Sequence, residues 1–275
     1  MNKVKMAFFS FTEVTDPKRH RDYNIWHQLD HRPENLALPG VSYGERWVSP
    51  PEYFAARLVS DPSIHPFHYM NMYHFLEPLD QTMRDFKDLG RTTLAIGRRP
   101  ELPYSNRITG GTFLFCKGYA APRVLISLEA IPFRPTRGVF VTVGDIIDQT
   151  EGSGPVTGTM GLAGGVQSAA EQRMLEWYDQ VHFPDMLTVK GVAGIWAFIS
   201  EPSYLFDAFA DGNPPGRMVH VYYLDEDPLE MVADLKTKMS EWKKDGRLHD
   251  LSKVRKSLFA GPLKTIVPWE WDWFD

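Results

Sequence analysis

The chain has 275 residues, 43% of them hydrophobic, with a net charge of -5 at pH 7. This length and apolar fraction suffice for one large or two small folded domains. The acidic balance, without a long run of lysine and arginine, argues against nucleic acid and anionic lipid as partners and favours a small molecule. No apolar stretch is long enough to span a bilayer, and the single cysteine excludes an intrachain disulfide, so we expect a cytoplasmic protein.

The first half alternates short apolar runs with periodic segments. Residues 3–11 predict a strand, and Asp16-Pro17 predicts the start of a helix that ends before Pro39-Gly40. The same reasoning predicts strands at 41–49, 67–76 and 112–120 and a helix at 78–90.

The second half repeats this order. It predicts strands at 139–147, 192–200, 218–225 and 258–267 and helices at 169–189 and 228–246. Strand, helix, strand, strand, helix, strand is the ferredoxin-like order. Residues 123–133 predict an extra strand or a joining segment, 151–165 an inserted loop, and 268–275 a half-buried strand or a plug over a pocket. We expect two domains, 1–122 and 123–275.

One segment of the chain occurs twice. Residues 26–41 align without a gap with residues 177–192, and six of the sixteen positions are identical, namely Trp, His, Pro, Leu, Gly and Val. Chance would give about one identity. A match at an offset as long as a small domain indicates duplication of a whole domain.

Duplication suggests how the two units bury their sheets. An antiparallel sheet covered by helices on one face must bury the other face, and a second copy of the unit can cover it. The sequence therefore predicts an α+β protein of two ferredoxin-like (βαββαβ) repeats, packed sheet to sheet as an intrachain barrel. We expect an aromatic-lined cavity between the sheets.

The repeated pattern, Trp-x4-His-x-Pro-x5-(Pro/Lys)-Gly-Val, resembles the EthD-like branch of the dimeric α+β barrel superfamily, most closely over residues 177–187. Most members form the barrel from two chains, so the resemblance implies that this tandem chain forms it alone. Members include cofactor-independent monooxygenases, lactone isomerases, polyketide cyclases, decarboxylases and haem-dependent enzymes. The resemblance therefore implies the fold more firmly than the reaction.

The duplicated histidines, His31 and His182, are the first catalytic candidates, because imidazole titrates near neutral pH. Each could instead tie the helix end to the adjacent strand. His27 lies one helical turn before His31, which is a metal-ligand spacing, but no third ligand is marked and the second copy has Tyr178 there. We therefore expect acid–base roles for His27 and Tyr178 and no metal site.

The strand at 67–75 provides candidate substrate-binding residues on both faces. Tyr69 and Tyr73 share one face, where they could donate hydrogen bonds to a substrate carbonyl or phenolate, and His68 and His74 share the other. Simple core packing of these rings stays open. Further candidates on matching or neighbouring strands are Trp47, Trp196, His220 and Tyr222.

These residues lead to a first functional hypothesis. The fingerprints of nucleophile elbows, P-loops and dinucleotide sites are absent from the sequence, so we expect no cofactor. We expect a cofactor-independent lyase or isomerase that decarboxylates, dehydrates or rearranges an aromatic or polyketide-like molecule, with homodimer formation possible. The alternatives are an oxygen-using or haem-dependent enzyme of the same fold and a non-catalytic binding protein.

Overall fold

The computed structural model describes residues 3–147, 168–200, 214 and 216–275. The strands are β1 (Val4–Val14), β2 (Val41–Val48), β3 (Val59–Ser60), β4 (Tyr69–Leu76), β5 (Ser105–Ala120), β6 (Gly138–Ile146), β7 (Val192–Ser200), β8 (Arg217–Leu224) and β9 (Arg255–Thr265). The α-helices are α1 (His20–Trp26), α2 (Arg32–Leu36), α3 (Pro51–Ala55), α4 (Leu79–Ala95), α5 (Ala169–Trp177), α6 (Phe183–Met186) and α7 (Pro228–Lys244).

The predicted ferredoxin-like order is confirmed in both halves. The short elements α3 and β3 were not predicted, because a few residues carry too little periodicity. The segment 123–133 holds 3-10 turns at Pro122–Val124 and Leu128–Phe133, so it joins the halves rather than forming a strand. The insertion at 151–165 lies outside the described residues, and the boundary between 122 and 123 stays a prediction.

Strand pairing closes the two sheets into one barrel. The strand order is β2-β4-β1-β5-β7-β8-β6-β9-β3, and β2 also pairs with β9. The halves therefore meet along two seams. At the first, β5 pairs with β7 and Phe113 lies opposite Ser200; at the second, β9 pairs with β2, where Trp47 lies opposite Thr265, and with the short β3. The predicted packing of two repeats within one chain is confirmed.

The space between the sheets is filled by side chains. Large rings of both halves meet there, among them Trp47, Phe67, Trp196 and Phe198, each 1% exposed or less. The expectation of an aromatic-lined cavity between the sheets is therefore wrong. Side chains along each strand point alternately inward and outward, and the inward ones are large rings and aliphatic groups that fill the space between the sheets.

The helices cover the outer face of each sheet, and both duplicated helices contain a π turn. His27–His31 separates α1 from α2, and Tyr178–His182 separates α5 from α6. Each turn lies just before Pro33 or Pro184. Proline lacks the N–H that an ordinary helical turn needs, and π turns occur often at functional sites.

The C-terminal tail packs on the first half. It does not form the strand that we considered. Trp271 is 3% exposed and joins a cluster with Tyr23 and Tyr69, and the Phe274 ring stacks on His20 with 3.8 Å between centroids. The tail therefore covers one end of α1 and β4.

Among the described residues, no helix combines the length and the apolar character that crossing a membrane requires.

The imidazole ring of His74 lies in the barrel interior without a hydrogen bond among the described residues. Both ring nitrogens are buried and have no partner among the described residues, and the ring stacks on Trp196 at 5.0 Å. Burial lowers the pKa of His74 from 6.5 to about 3. Because the unfolded chain binds a proton here more readily than the folded chain, the free energy of unfolding falls as the pH drops below 6.5.

We expect His74→Leu to make the fold less sensitive to acid, because leucine takes up no proton. Between pH 7 and pH 5 its free energy of unfolding should fall by about 2 kcal/mol less than that of the wild type. Urea denaturation at both pH values measures this, with His65→Gln at an exposed histidine as the control. Identical pH responses of the wild type and His74→Leu would contradict the expectation.

Candidate functional site

The described cavities lie between the sheets and their covering helices, outside the barrel interior. The first-half cavity has a volume of about 330 Å³ and lies against β1, β4 and the π turn of the first helix. Its apolar walls include Phe8, Phe86 and Leu94. Its polar lining includes Ser10, His27, His31, Asn71, Tyr73, Arg99 and Arg107.

The two histidines of this cavity are neutral at pH 7. The pKa of His31 is lowered to about 3, first by burial and then by neighbouring arginines, and the pKa of His27 is lowered by the same causes. Their rings lie 4.9 Å apart. Asn35 Nδ2 donates to His31 Nε2 at 3.2 Å, whereas the ring of His27 bonds no other described residue.

Arg46 lies fully buried behind the cavity wall. Its guanidinium donates to the side-chain oxygens of Asn71 at 2.9 Å, Asn24 at 3.0 Å and Gln28 at 3.2 Å, and it lies 5.4 Å from the Tyr23 ring. None of these partners carries a negative charge. A buried cation held only by neutral groups costs free energy, which a nearby anion reduces.

Three more arginines, Arg91, Arg99 and Arg107, line the first-half cavity itself, together with Lys87. Arg107 Nε donates to Ser10 Oγ at 3.2 Å, and burial lowers the pKa of Arg107 to about 10, so it remains charged at neutral pH. The Arg99 guanidinium also lines the cavity, and no carboxylate is among the described residues that do so. The arrangement creates a positive potential that suits an anion with an apolar body.

The second-half cavity is larger and more apolar. It has a volume of about 500 Å³ between β6, β8, β9 and the helices α5 and α7. His182 and Tyr222 share a hydrogen bond of 3.1 Å there, and the pKa of His182 is lowered to about 3 by burial and by Arg255. The apolar lining includes Trp177, Met186, Leu235, Met239, Trp242, Leu248 and Leu251.

A separate small cavity of about 220 Å³ lies against β5 and β7. Tyr178 and His220 line it, together with Tyr119 and Lys117, whose side chains both contact Asp179. Tyr178 also lines the second-half cavity.

One substitution between equivalent strands explains why the halves differ. Arg46 lies opposite Asn71 in the first half, and Ala197 lies opposite His220 at the matching position of the second half. The first half therefore places a buried cation and its amide partners where the second half places a methyl group and leaves the small cavity.

The tyrosines of the two halves match with a shift of one residue. Tyr73 and Tyr222 both face the helices, whereas Tyr223 points into the barrel interior. One more residue separates Tyr222 from Pro228 than separates Tyr73 from Pro78. A shift of one residue along a strand moves a side chain to the opposite face, so sequence alignment alone pairs the wrong tyrosines.

The structure divides the predicted site residues into three groups. Those that line a described cavity are His27, His31, Tyr73, Tyr178, His182, His220 and Tyr222. Trp47, His74 and Trp196 pack inside the barrel. Tyr69 hydrogen-bonds His20 at 2.8 Å, and His68 Nδ1 accepts from the Val14 N–H at 3.1 Å, both beneath the C-terminal tail. Catalytic and substrate-binding roles of all twelve stay predictions.

Sequence reasoning missed the arginines. Arg46, Arg99, Arg107 and Arg255 were not singled out, although a charged residue such as Arg46 beside the apolar pair Trp47-Val48 of a strand is an available signal. For the other three arginines, the sequence is as compatible with a surface position as with a cavity lining. Their role is therefore visible only from their positions in the fold.

No protein-family profile and no curated protein matches the sequence. Solved structures do share the fold. A candidate chlorite dismutase aligns over 97% of this chain and 96% of its own, with a TM-score of 0.51 and 10% identity. A dye-decolorizing peroxidase from Bacteroides thetaiotaomicron aligns over 96% of this chain and 94% of its own, with a TM-score of 0.51 and 9% identity. This chain therefore has the dimeric α+β barrel fold, formed within one polypeptide.

The names of these neighbours correct the expected reaction class. Both neighbours are named for oxidoreductase chemistry, as a chlorite dismutase and as a peroxidase. The expectation of a cofactor-independent lyase or isomerase, decarboxylase-like or dehydratase-like, is therefore wrong. The alternative of an oxygen-using or haem-dependent enzyme of the same fold agrees better with the neighbours.

The described residues do not fit haem. Haem iron needs an axial side chain such as histidine, whose other ring nitrogen donates to an acceptor that orients it. His182 Nε2 already bonds the Tyr222 hydroxyl, and its other nitrogen has no acceptor among the described residues. Asn35 similarly occupies Nε2 of His31, and Nδ1 of His27 is buried without an acceptor to orient the ring. Within the described ranges there is also no group of three or more His, Cys, Asp or Glu side chains placed to hold a metal ion.

We expect Arg46→Met to lower the free energy of unfolding by about 3 kcal/mol, because three buried amide oxygens lose their donor. Urea denaturation measures the loss. Arg123→Met, which removes an exposed arginine paired with Asp225, is the control and should change the stability little. Wild-type stability of Arg46→Met would contradict the description of this network.

We expect added haemin to give no absorption band of a histidine-ligated haem, because none of His27, His31 and His182 combines an unengaged ring nitrogen with a described acceptor on the other. Titration followed in the Soret region measures this, with apomyoglobin as the positive control. A stoichiometric complex that is formed by the wild type and lost in His182→Ala would contradict the ligand argument.

Proposed function

We propose that this protein is an oxygen-using oxidoreductase whose substrate is an acidic small molecule, a phenol or an enol, bound in the first-half cavity. The observation that carries the proposal is the combination of two neutral histidines with four arginines, of which Arg91, Arg99 and Arg107 line the cavity and Arg46 lies behind it. The neighbours named as a chlorite dismutase and a peroxidase support the reaction class.

The arginines favour the ionised substrate. Arg99 and Arg107 lie in the cavity lining and Arg46 directly behind it, so a phenolate or enolate is stabilised there relative to its neutral acid. The anion in turn raises the pKa of the imidazole beside it. Proton transfer from the substrate to a histidine becomes favourable once the substrate is bound.

His27 is the general base in this proposal. It lines the cavity, is neutral when the site is empty, and bonds no other described side chain that would compete for its ring nitrogens. His31 is held by Asn35 and stacks on Trp26 at 4.8 Å. His31 therefore positions the substrate beside the base.

The substrate supplies the electrons for oxygen. Loss of the proton raises the electron density of the substrate, and its anion reduces O2 more readily than the neutral acid does. When O2 oxidises a CH2 group beside the ionised centre to a carbonyl, one atom of O2 enters the product. The other atom leaves as water with the two hydrogens of the CH2 group. The arginines hold the negative charge during these steps.

The apolar wall favours an aromatic or polyketide-like body. The Phe8 and Phe86 rings lie 5.8 Å apart at the cavity wall, opposite the charged groups. The similarity of residues 177–187 to the EthD-like pattern supports membership of that branch as part of the same proposal. Homodimer formation stays a prediction.

An oxygen electrode tests the proposal with anthrone, 1-naphthol and 4-hydroxybenzoate as probes. We expect oxygen uptake with at least one probe, and we expect His27→Gln to lower kcat by roughly 100-fold or more, as loss of a general base does. Arg107→Gln should raise KM, because it removes a contact to the substrate anion.

His65→Gln, at an exposed position outside the cavity, is the matched control and should retain wild-type turnover. An anaerobic reaction with the same probe separates oxygen use from other chemistry. Equal turnover with and without oxygen, or full activity of both His27→Gln and His31→Gln, would refute the proposal.

A further inference from the structure

The second-half cavity is not used by the function proposed above. Its walls are mainly apolar, and helices α5 and α7 provide the indole rings of Trp177 and Trp242. A volume of about 500 Å³ lies within the range of small-molecule sites. A space of this size lined by apolar side chains gains free energy when an apolar ligand fills it.

The described lining of this cavity contains one arginine and no lysine, aspartate or glutamate. Arg255, at the start of β9, lines the cavity and lies 5.8 Å from the Tyr178 ring. Its Nη1 donates to Ser257 Oγ at 3.2 Å, and its Nε is buried without a partner in the described part of the chain. None of the ion pairs among the described residues includes Arg255.

The guanidinium of Arg255 lies in a fitted position. A Cβ added at Gly144 on β6 would come within 2.7 Å of Arg255 Nε, so only glycine leaves room for the guanidinium at this height. The neighbouring carboxylates are already paired, Asp145 with Arg217 at 2.7 Å and Asp185 with Arg247 at 2.8 Å. Tyr178 is a further hydrogen-bond partner of Arg255, so the guanidinium is held in place in the cavity lining without a carboxylate partner among the described residues.

We propose that the second-half cavity binds an apolar monocarboxylate, with its carboxylate at Arg255 and its hydrocarbon body against the rings of Trp177 and Trp242. The hydroxyl of Tyr222 and the ring of His182 lie in the same lining and supply neutral hydrogen-bonding groups beside the carboxylate. One arginine balances the charge of one carboxylate. A guanidinium can also donate two parallel hydrogen bonds to the two oxygens of a carboxylate.

This site is separate from the first-half cavity, because the two have no lining residue in common. The inference does not rest on the proposed oxidoreductase activity. Failure of one leaves the other in place.

Isothermal titration with decanoate, below the concentration at which it forms micelles, tests the proposal on the full-length protein. We expect one decanoate per chain, and octanoate should bind roughly 15-fold more weakly because it buries two fewer methylenes. Arg255→Gln should weaken decanoate binding roughly 10- to 100-fold, as loss of a charged hydrogen bond does.

Gly144→Ala tests the position of the Arg255 guanidinium separately from its charge. It keeps the arginine but displaces it, so decanoate binding should weaken while decan-1-ol, which carries no charge, binds to the wild type and to both variants alike. Circular dichroism confirms that the variants are folded. Arg123→Met, at an exposed arginine paired with Asp225 outside both cavities, should leave decanoate binding unchanged.

Three results would overturn the proposal. The first is absence of decanoate binding to the wild type. The second is equal affinity for decanoate and decan-1-ol, which removes the role of the charge. The third is loss of binding in Arg107→Gln but not in Arg255→Gln, which moves the ligand to the first half.

Discussion

Closure of the barrel by strand pairing along two seams is the constraint on which the rest of the structure depends. Where β5 meets β7 and β2 meets β9, the halves share hydrogen bonds, and their sheets face each other at a fixed distance. Large inward side chains then fill the space between them. The cavities of the described part of the chain lie on the outer faces, beneath the helices.

The helices that cover these faces contain the same device twice. A π turn widens the backbone at His27–His31 and again at Tyr178–His182, and it places a histidine of each turn in the lining of a cavity. The scaffold is therefore symmetric. The side chains beneath the helices differ between the halves. Single positions such as Arg46 and Ala197 decide whether a buried charge or an open space lies beneath the helix.

Burial and charge act together on the histidines of both halves. Each imidazole in a cavity lining loses hydration, and a nearby arginine disfavours its protonated form further, so His31 and His182 are neutral over the whole neutral range. A neutral imidazole beside an arginine suits an anionic ligand. The proposed phenol or enol site and the proposed carboxylate site are two uses of this one arrangement.

The sequence by itself determined the duplication, the ferredoxin-like order and the pairing of the halves in one chain, because hydrophobic periodicity and a gapless internal match are local properties. It also indicated the helices that hold His31 and His182. Tertiary structure alone decided that the barrel is filled, that Tyr222 rather than Tyr223 matches Tyr73, and that arginines approach the cavities. Strand register and the direction of long side chains depend on contacts between distant segments, and no local pattern encodes them.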